Sequence, residues 1–280
     1  LLLPPEPASA AMNFGLIIVG DEILSGKRQD KHLAKVIELL SARGLALAWS
    51  HYVGDDPRRI TEILRTAFAS GDVVFSCGGI GATPDDHTRQ CAAAALDRPL
   101  ALHPEARELI MERVRQLAAE KGWTDDPDHP DTLHRLNMGV FPEGATLISN
   151  PYNRIPGFSV GDVHFVPGFP VMAHPMIEAL LDTRYAHLHG AGVQQERSLI
   201  VYGAMEASLT PLMIDLEARF EGIKVFSLPS VDHPVHGRHI ELGVKGRGER
   251  LDAAYAALLD GLARFGARTG PEMVRSNAPE

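Results

Sequence analysis

The chain is poor in cysteine, in positive charge and in long apolar runs, and each shortage excludes something. Only Cys77 and Cys91 are present among 280 residues. Two cysteines cannot build a disulfide scaffold and fit a reducing, cytoplasmic setting, where both read as small buried apolar residues. No segment reaches the roughly 18 consecutive apolar residues of a membrane span. Lys and Arg total 27 against 36 Asp and Glu, a formal net charge of −9. That balance argues against non-specific nucleic-acid binding and against an anionic membrane surface. Any phosphate ligand must then be held locally, by backbone N–H groups, a metal or a few cations. With 45% hydrophobic and 22% charged residues, what remains is an ordinary globular composition with ample core for one large or two smaller domains. The opening Leu1 to Ala11 has no basic n-region and reads as a disordered extension outside the fold.

From residue 12 the pattern is strand, helix, strand, helix, strand, helix, which predicts a parallel sheet with right-handed crossovers. Asn13 to Gly20 is a short apolar run, rich in β-branched residues, that reads as a central strand. Asp21-Glu22 follows in a loop, and Asp30 can cap a helix over about 31–43 with Leu33, Val36, Ile37 and Leu40 on one face. Leu45 to Val53 is the second strand, and Gly54-Asp55-Asp56-Pro57 opens the next helix. Asp72 to Cys77 is the third strand. Acids therefore follow three successive strands: Asp21 and Glu22, Asp55 and Asp56, Asp85 and Asp86. A single acidic loop is usually a helix cap. Three at the edge where open α/β sheets bind ligands suggest a site.

The third of these loops is Ser76-Cys77-Gly78-Gly79-Ile80-Gly81-Ala82-Thr83-Pro84-Asp85-Asp86. Its glycines allow a sharp turn and a close approach to a ligand. Thr83, Pro84 and the two acids have the order of an N-cap, a first helical position and a first turn, predicting a helix over about 86–96 whose N–H groups favour an anion. Asp85 and Asp86 could hold a divalent metal against a diphosphate. The plainer alternative makes Asp86 the partner of Thr83 in a capping box. No Gly-Lys-Ser/Thr follows, so this is not a Walker loop, and it is not a Gly-x-Gly-x-x-Gly fingerprint.

Further on, 104–121 reads as an amphipathic helix, 122–130 as a proline-punctuated loop or lid, and Gly161-Asp162 as the turn of a hairpin-like pair. Residues 183–195 read as a linker. A strand, a helix, two strands and a helix fill 196–268 as a small α+β domain, and 269–280 as a frayed tail. His233, His236 and His239, and the pair His187 and His189, lack the helical spacing and the Cys or Glu neighbours of a zinc site, and read as loop or surface histidines.

Val19 to Gly26, Val53-Gly-Asp-Asp56, Gly78 to Asp86 and Pro167-Gly-Phe-Pro170 together resemble the molybdopterin-binding (MogA/MoaB-like) fold. They are most similar to the amino-terminal region of the competence/damage-inducible CinA proteins. The resemblance covers about residues 12–182, and 196–268 is similar to the domain that follows in such chains. Nothing here corresponds to the CinA deamidase domain. The resemblance implies a three-layer α/β/α, mostly parallel sheet and a site for a small-molecule nucleotide or pterin phosphate. It also implies a homo-oligomer, dimer or trimer.

On the CinA side the implied activity is hydrolysis of ADP-ribose to AMP and ribose 5-phosphate, with a divalent metal (Mg, Mn or Co) and potassium. On the MogA side it is molybdopterin binding or adenylyl transfer. Carried over by motif, Asp55 and Asp86 take catalytic positions, and Glu22, Asp85 and Asp86 would hold the metal. Gly78, Gly79, Gly81, Thr83, Asn150, Arg154, Pro167 and Gly168 would bind substrate. The family's Asn-Pro-x-Gly-x-Ala-Pro-Gly pattern is altered at Asn153, Arg154 and Ile155, where Arg154 either narrows the pocket or adds a phosphate partner. Asn153 stands where the family has Gly, and Asn tolerates a left-handed backbone.

Overall fold

The computed structural model describes residues 12–122, 126–190, 195–246 and 248–276. The expected amino-terminal extension, and parts of the expected lid, linker and tail, lie outside these residues.

The chain divides into two compact units, one holding residues up to 187 except 41–45, the other holding 41–45 and the residues from 188 onward. In the first unit the elements run β1 (Phe14–Val19), α1 (Asp21–Leu24), α2 (His32–Ser41), β2 (Leu47–Val53), α3 (Pro57–Ser70), β3 (Val73–Cys77) and α4 (Thr88–Leu96). Then follow β4 (Leu100–Leu102), α5 (Pro104–Lys121), α6 (Pro130–Leu136), β5 (Val140–Pro142), β6 (Thr146–Ile148), β7 (Gly157–Val160), β8 (Val163–Val166) and α7 (Pro170–Thr183). The main sheet has the order β2-β1-β3-β8-β7-β6. β2, β1, β3 and β8 are parallel, while β7 and β6 are antiparallel additions. This is the α/β fold with a mostly parallel sheet that the residue pattern predicts.

β1 is buried at every position, as a central strand covered on both faces must be. Alternation sends Ile17 and Val19 into the cluster formed with Ile60, Leu64 and Ala67 of α3 and Cys91 and Ala92 of α4. Phe14 points the other way, where it meets Phe75 and the ring of Tyr185 beyond α7. α3 begins as its residues dictate: Asp56 accepts from the Arg58 N–H at 2.9 Å, Pro57 takes the first position, and Gly71 ends the helix in a left-handed turn.

Three expectations for this unit fail locally. Asp21 to Leu24 is a one-turn helix rather than a loop. Pro130, read as the last residue of the 122–130 lid, instead opens α6 (Pro130–Leu136) behind an N-cap His129 whose ring nitrogen accepts from the Asp131 N–H. The helix expected from Thr83 starts only at Thr88. The reason is that Asp86 and Thr83 close a turn of their own, and Thr88 is pinned back to the strand end through its N–H on Gly79 O and its hydroxyl on Gly78 O.

The second unit comprises β9 (Gln195–Tyr202), α8 (Glu206–Arg219), β10 (Lys224–His233), β11 (Gly237–Gly246), α9 (Glu249–Phe265) and β12 (Arg268–Ser276). They form an antiparallel sheet of order β10-β11-β9-β12. Residues 269–276, expected to be part of a frayed tail, instead pair with β9 as an edge strand. Arg275 there is held by the Glu241 carboxylate of β11, which also accepts from Ser198 Oγ at 2.7 Å. Polar composition hid the strand, because an edge strand can be polar wherever it faces water.

A polar chain runs through the core of the first unit. Tyr185 donates to Asp162 at 2.8 Å, so it accepts from His164 Nε2 (2.6 Å), leaving Nδ1 to accept from Ser159 Oγ (2.7 Å). Ser159 and His164 are 2% and 0% exposed, so this serine–histidine pair is sealed from any substrate and serves structure. Burial, helped by the Arg184 charge and opposed by Asp162, brings the His164 pKa down to about 3. A histidine kept neutral in the fold but able to protonate when unfolded makes the fold less stable as acidity rises. The stability is complete above 6.5, the ordinary value, and is lost as pH falls from there toward about 3. The expected loss is at most about 5 kcal/mol. Hydrogen exchange at the β7 and β8 amides should show it, with a flatter acid slope in His164→Gln; equal slopes in the two proteins would remove His164 as the cause.

Candidate functional site at the carboxyl edge of the sheet

β1 has β2 on one side and β3 on the other, so the chain leaving β1 turns to one side and the chain leaving β3 to the other, and they diverge between β1 and β3, at the place where open α/β sheets bind ligands. A cavity of about 320 Å³ lies there. Its floor is Ile18, Val19 and Cys77, and Gly168 and Phe169 close it from the loop after β8.

The glycine loop owes its composition first to its own packing. Gly78 has φ +107°, and a Cβ there would stand 2.4 Å from the Val19 carbonyl oxygen. Gly168 stands so close that its own Cβ would lie 3.4 Å from Gly78 Cα. Gly79 (φ +68°) faces the Thr88 hydroxyl, and Gly81 faces the Asp86 carboxylate. Past this crowding, the N–H groups of Gly79, Ile80, Gly81 and Ala82 donate to nothing among the described residues. The Thr83 N–H, expected to cradle phosphate, is not free. It donates to Asp86 Oδ2 at 2.8 Å, and the Thr83 hydroxyl donates to the same oxygen at 2.5 Å. The capping-box partnership of Thr83 and Asp86 thus exists, detached from the helix it was expected to cap.

Arg89, which sequence reading passed over, holds this loop from behind. It is 5% exposed, donates to Gly81 O at 2.6 Å and to Asn137 O, and has a buried Nε with no partner. Burial lowers its pKa, and Asp86 offsets part of that. A second hollow, of about 370 Å³, lies between Arg89, Asp86 and Thr83 on one side and Asn137 and Val140 on the other. The available signal was an arginine in the first turn of an alanine-rich helix, on the side that must be buried.

The acids after β1 and β2 meet. The Asp21 N–H donates to Asp55 Oδ2 (2.9 Å) and the Asp55 N–H donates to Asp21 Oδ1 (3.2 Å). Desolvation raises the Asp55 pKa, the Asp21 N–H works against it, and the charges of Asp21, Glu22 and Asp85 add to the rise. Among the described residues, however, no group of three or more His, Cys, Asp or Glu is arranged to hold a metal ion. Glu22, Asp85 and Asp86 therefore do not form the preassembled cage expected of them, partly because Asp86 is turned inward to Thr83.

The Asn150 loop departs from expectation too. Asn150 is 2% exposed, and its amide is used on Asn153, Ile155 and the Tyr152 N–H, leaving no free polar atom for a ligand. Arg154, not Asn153, takes the left-handed backbone (φ +65°), while Asn153 Oδ1 accepts from the Ile155 N–H. The Arg154 guanidinium pairs with the Glu112 carboxylate, so it neither narrows the cavity nor lines it. Gly168 is in place, its carbonyl bonded to His32 Nε2 at 3.0 Å, and Pro167 ends the strand that delivers it.

The fold and this edge define an α/β protein with a cavity at a topological switch point. Residues 15–187 match the family model described as a probable molybdopterin binding domain, and the chain belongs to that family. It is 30% identical over 204 residues to a CinA-like protein of Syntrophotalea carbinolica, covering 70% of this chain and 46% of that protein. A CinA-like protein of Geobacter metallireducens is 29% identical over 272 residues, 94% of this chain and 61% of its own. The chain thus spans about half to three fifths of the length of these relatives. Among solved structures, the CinA protein of Thermoplasma acidophilum, described as of unknown function, is 29% identical with a TM-score of 0.50, over 61% of this chain and 97% of that one. No helix among the described residues is long and apolar enough to cross a membrane.

A carboxyl whose pKa is raised in the fold contributes stability while protonated and loses it as pH rises through the folded value. Asp55→Asn keeps an oxygen for the Asp21 N–H and removes the charge. It should therefore raise the melting temperature at neutral pH and give no gain in acid, where Asp55 is already protonated. A variant melting at or below wild type at neutral pH would show that the Asp55 charge is not a cost to the fold.

Proposed function

We propose that the chain binds a pterin phosphate of the molybdopterin type at the carboxyl edge of its parallel sheet. The observation that carries this reading is the row of unengaged N–H groups at residues 79–82, which begins two residues after Cys77 of the switch-point cavity and ends at Ala82 in the neighbouring hollow, in a molybdopterin-binding family member. Backbone N–H groups suit a phosphate, which needs several short donors and, in a chain of net charge −9, has little long-range attraction to rely on. Ile23, Cys77 and Phe169 offer an apolar bed for a flat heterocycle. Arg89 keeps the loop in shape through Gly81 O.

A second reading, hydrolysis of a nucleotide pyrophosphate such as ADP-ribose, draws on the facing acids Asp21 and Asp55 and the raised pKa of Asp55. The acids do not make a metal cage by themselves. In this reading Asp55 would orient the attacking water. Self-association and a cytoplasmic setting belong with either reading.

The test is to purify the protein from a host that makes molybdopterin and oxidise the released ligand to its fluorescent pterin. In parallel, AMP is measured after incubation with ADP-ribose and magnesium, manganese or cobalt, with and without potassium. Near-stoichiometric pterin is expected in the wild type, with a reduction of about ten-fold in Arg89→Met, whose loop loses its support. AMP release that Asp55→Asn abolishes, without bound pterin, would replace the first reading by the second.

A further inference from the structure

The switch-point cavity holds one acid, and the fold makes no use of it. Glu22 is the single carboxylate among the lining residues, and it is half-buried. Its carboxylate makes no hydrogen bond or ion pair among the described residues, although Arg28 and Lys31 line the same cavity. An acid in the first turn of a helix ordinarily serves the free N–H groups there. Glu22 has none to serve in α1: the Asp21 N–H is taken by Asp55, and the Ile23 and Leu24 N–H groups turn back to Gly20 O.

Local backbone sets where this acid lies. The Arg28 N–H donates to Glu22 O at 2.9 Å, and the Ile23 N–H donates to Gly20 O at 3.2 Å, so the turn that carries Glu22 is tied at both ends. Gly20 leaves room for the side chain. One Glu22 carboxylate oxygen lies 2.6 Å from where a Gly20 Cβ would stand, so the carboxylate folds back over the end of β1. Ile23, Cys77 and Phe169 give the same cavity apolar surface. Its volume of about 320 Å³ is at the low end for ligand pockets and suits one ring system rather than a whole dinucleotide.

We propose that Glu22 selects the ring that enters this cavity, by accepting two hydrogen bonds from the 2-amino-4-oxopyrimidine edge of a pterin. This deepens the pterin reading and rests on it for the identity of the ring. An ionised carboxylate is an acceptor on both oxygens, spaced to meet two parallel N–H donors. A pterin carries that pair on one edge, as its ring N3–H and its 2-amino N–H. Guanine carries the same pair. Adenine instead sets one amino donor beside a ring-nitrogen lone pair, which the second carboxylate oxygen repels. Glu22 thereby favours a 2-amino-4-oxo ring and disfavours the adenine of a nucleotide such as ADP-ribose.

The experiment is equilibrium titration of wild type, Glu22→Gln and a control, Glu105→Gln, which makes the same charge change at the start of α5. Circular dichroism verifies each fold. The probes are two pairs that differ by the 2-amino group: pterin against lumazine, which has an oxygen there, and GMP against IMP, which has hydrogen. Wild type should bind pterin about ten-fold or more tightly than lumazine. Glu22→Gln should bring the two within about two-fold, because an amide offers one acceptor and turns a donor toward the second N–H. The control should keep the wild-type ratio. A ratio cancels any general loss of binding in a variant, and the wild-type preference is read without one. No 2-amino preference in either pair, or a preference that Glu22→Gln retains, would overturn the role of Glu22. A Glu22-dependent preference confined to the nucleotide pair, with no pterin recovered from the purified protein, keeps that role, assigns the edge to guanine and fails the pterin reading alone. Pterin recovered, with no 2-amino preference in either pair, fails the role of Glu22 alone.

Discussion

The carboxyl edge of the sheet is organised by the crowding at Gly78. Three strand ends converge on this residue. Its N–H donates to Val166 O of β8, its carbonyl accepts from Thr88, and the face where a side chain would stand is occupied by the Val19 carbonyl of β1. Gly168 packs against it from the loop after β8. With φ at +107°, a side chain here is excluded by conformation as well as by space. The turn that follows is thereby directed away from β3, so that the N–H groups of 79–82 stay unused while Thr88 begins α4. The cavity, the glycine loop and the closing loop are consequences of strands packed too closely for a Cβ.

Charge at this edge is divided between two sides. Acids cluster where β1 and β2 end, with Asp21 and Asp55 bonded to one another's backbone N–H groups, an arrangement that holds two carboxylates near each other at the cost of raising one pKa. Cations and a half-satisfied histidine occupy the start of α2. In a protein of net charge −9 such local separation leaves one face of the edge less negative than the rest. The polar chain of Ser159, His164 and Tyr185, by contrast, is satisfied and sealed, with only Asp162 at its end reaching the surface.

The second unit has its own core, with Leu199, Val201, Leu242 and Val244 of the sheet against Leu251, Tyr255, Leu258 and Leu262 of α9. His233, His236 and His239 gather at the β10–β11 turn with ring centres 5.1 to 5.6 Å apart, yet they are not arranged to hold a metal ion. Their nitrogens serve the turn: His233 Nδ1 accepts from the Val235 and His236 N–H groups, and His236 meets Tyr202. The match to the Geobacter relative runs over 94% of the chain, so this unit accompanies the first in at least one relative.

Much of the fold was legible in the sequence because local rules are strong there. β-Branched runs, the Asp56-Pro57 helix start and the Gly71 stop act within a few residues, and the order of elements implies the parallel sheet. The site motifs were legible as motifs, but their atoms were not. Whether Thr83 offers its N–H to a ligand or to Asp86, whether Arg154 reaches a phosphate or Glu112, and whether Asn150 has a free amide depend on neighbours brought close only by folding. Arg89 showed in the sequence only as an arginine in the first turn of an alanine-rich helix, and it is its burial and its bonds to Gly81 O and Asn137 O that mark it. The sequence by itself determined the elements, their order and the glycines that the crossing demands, since propensity and steric exclusion are properties of short segments. Tertiary structure decided which polar groups remain free, because hydrogen-bond satisfaction and desolvation are set by contacts between distant parts of the chain.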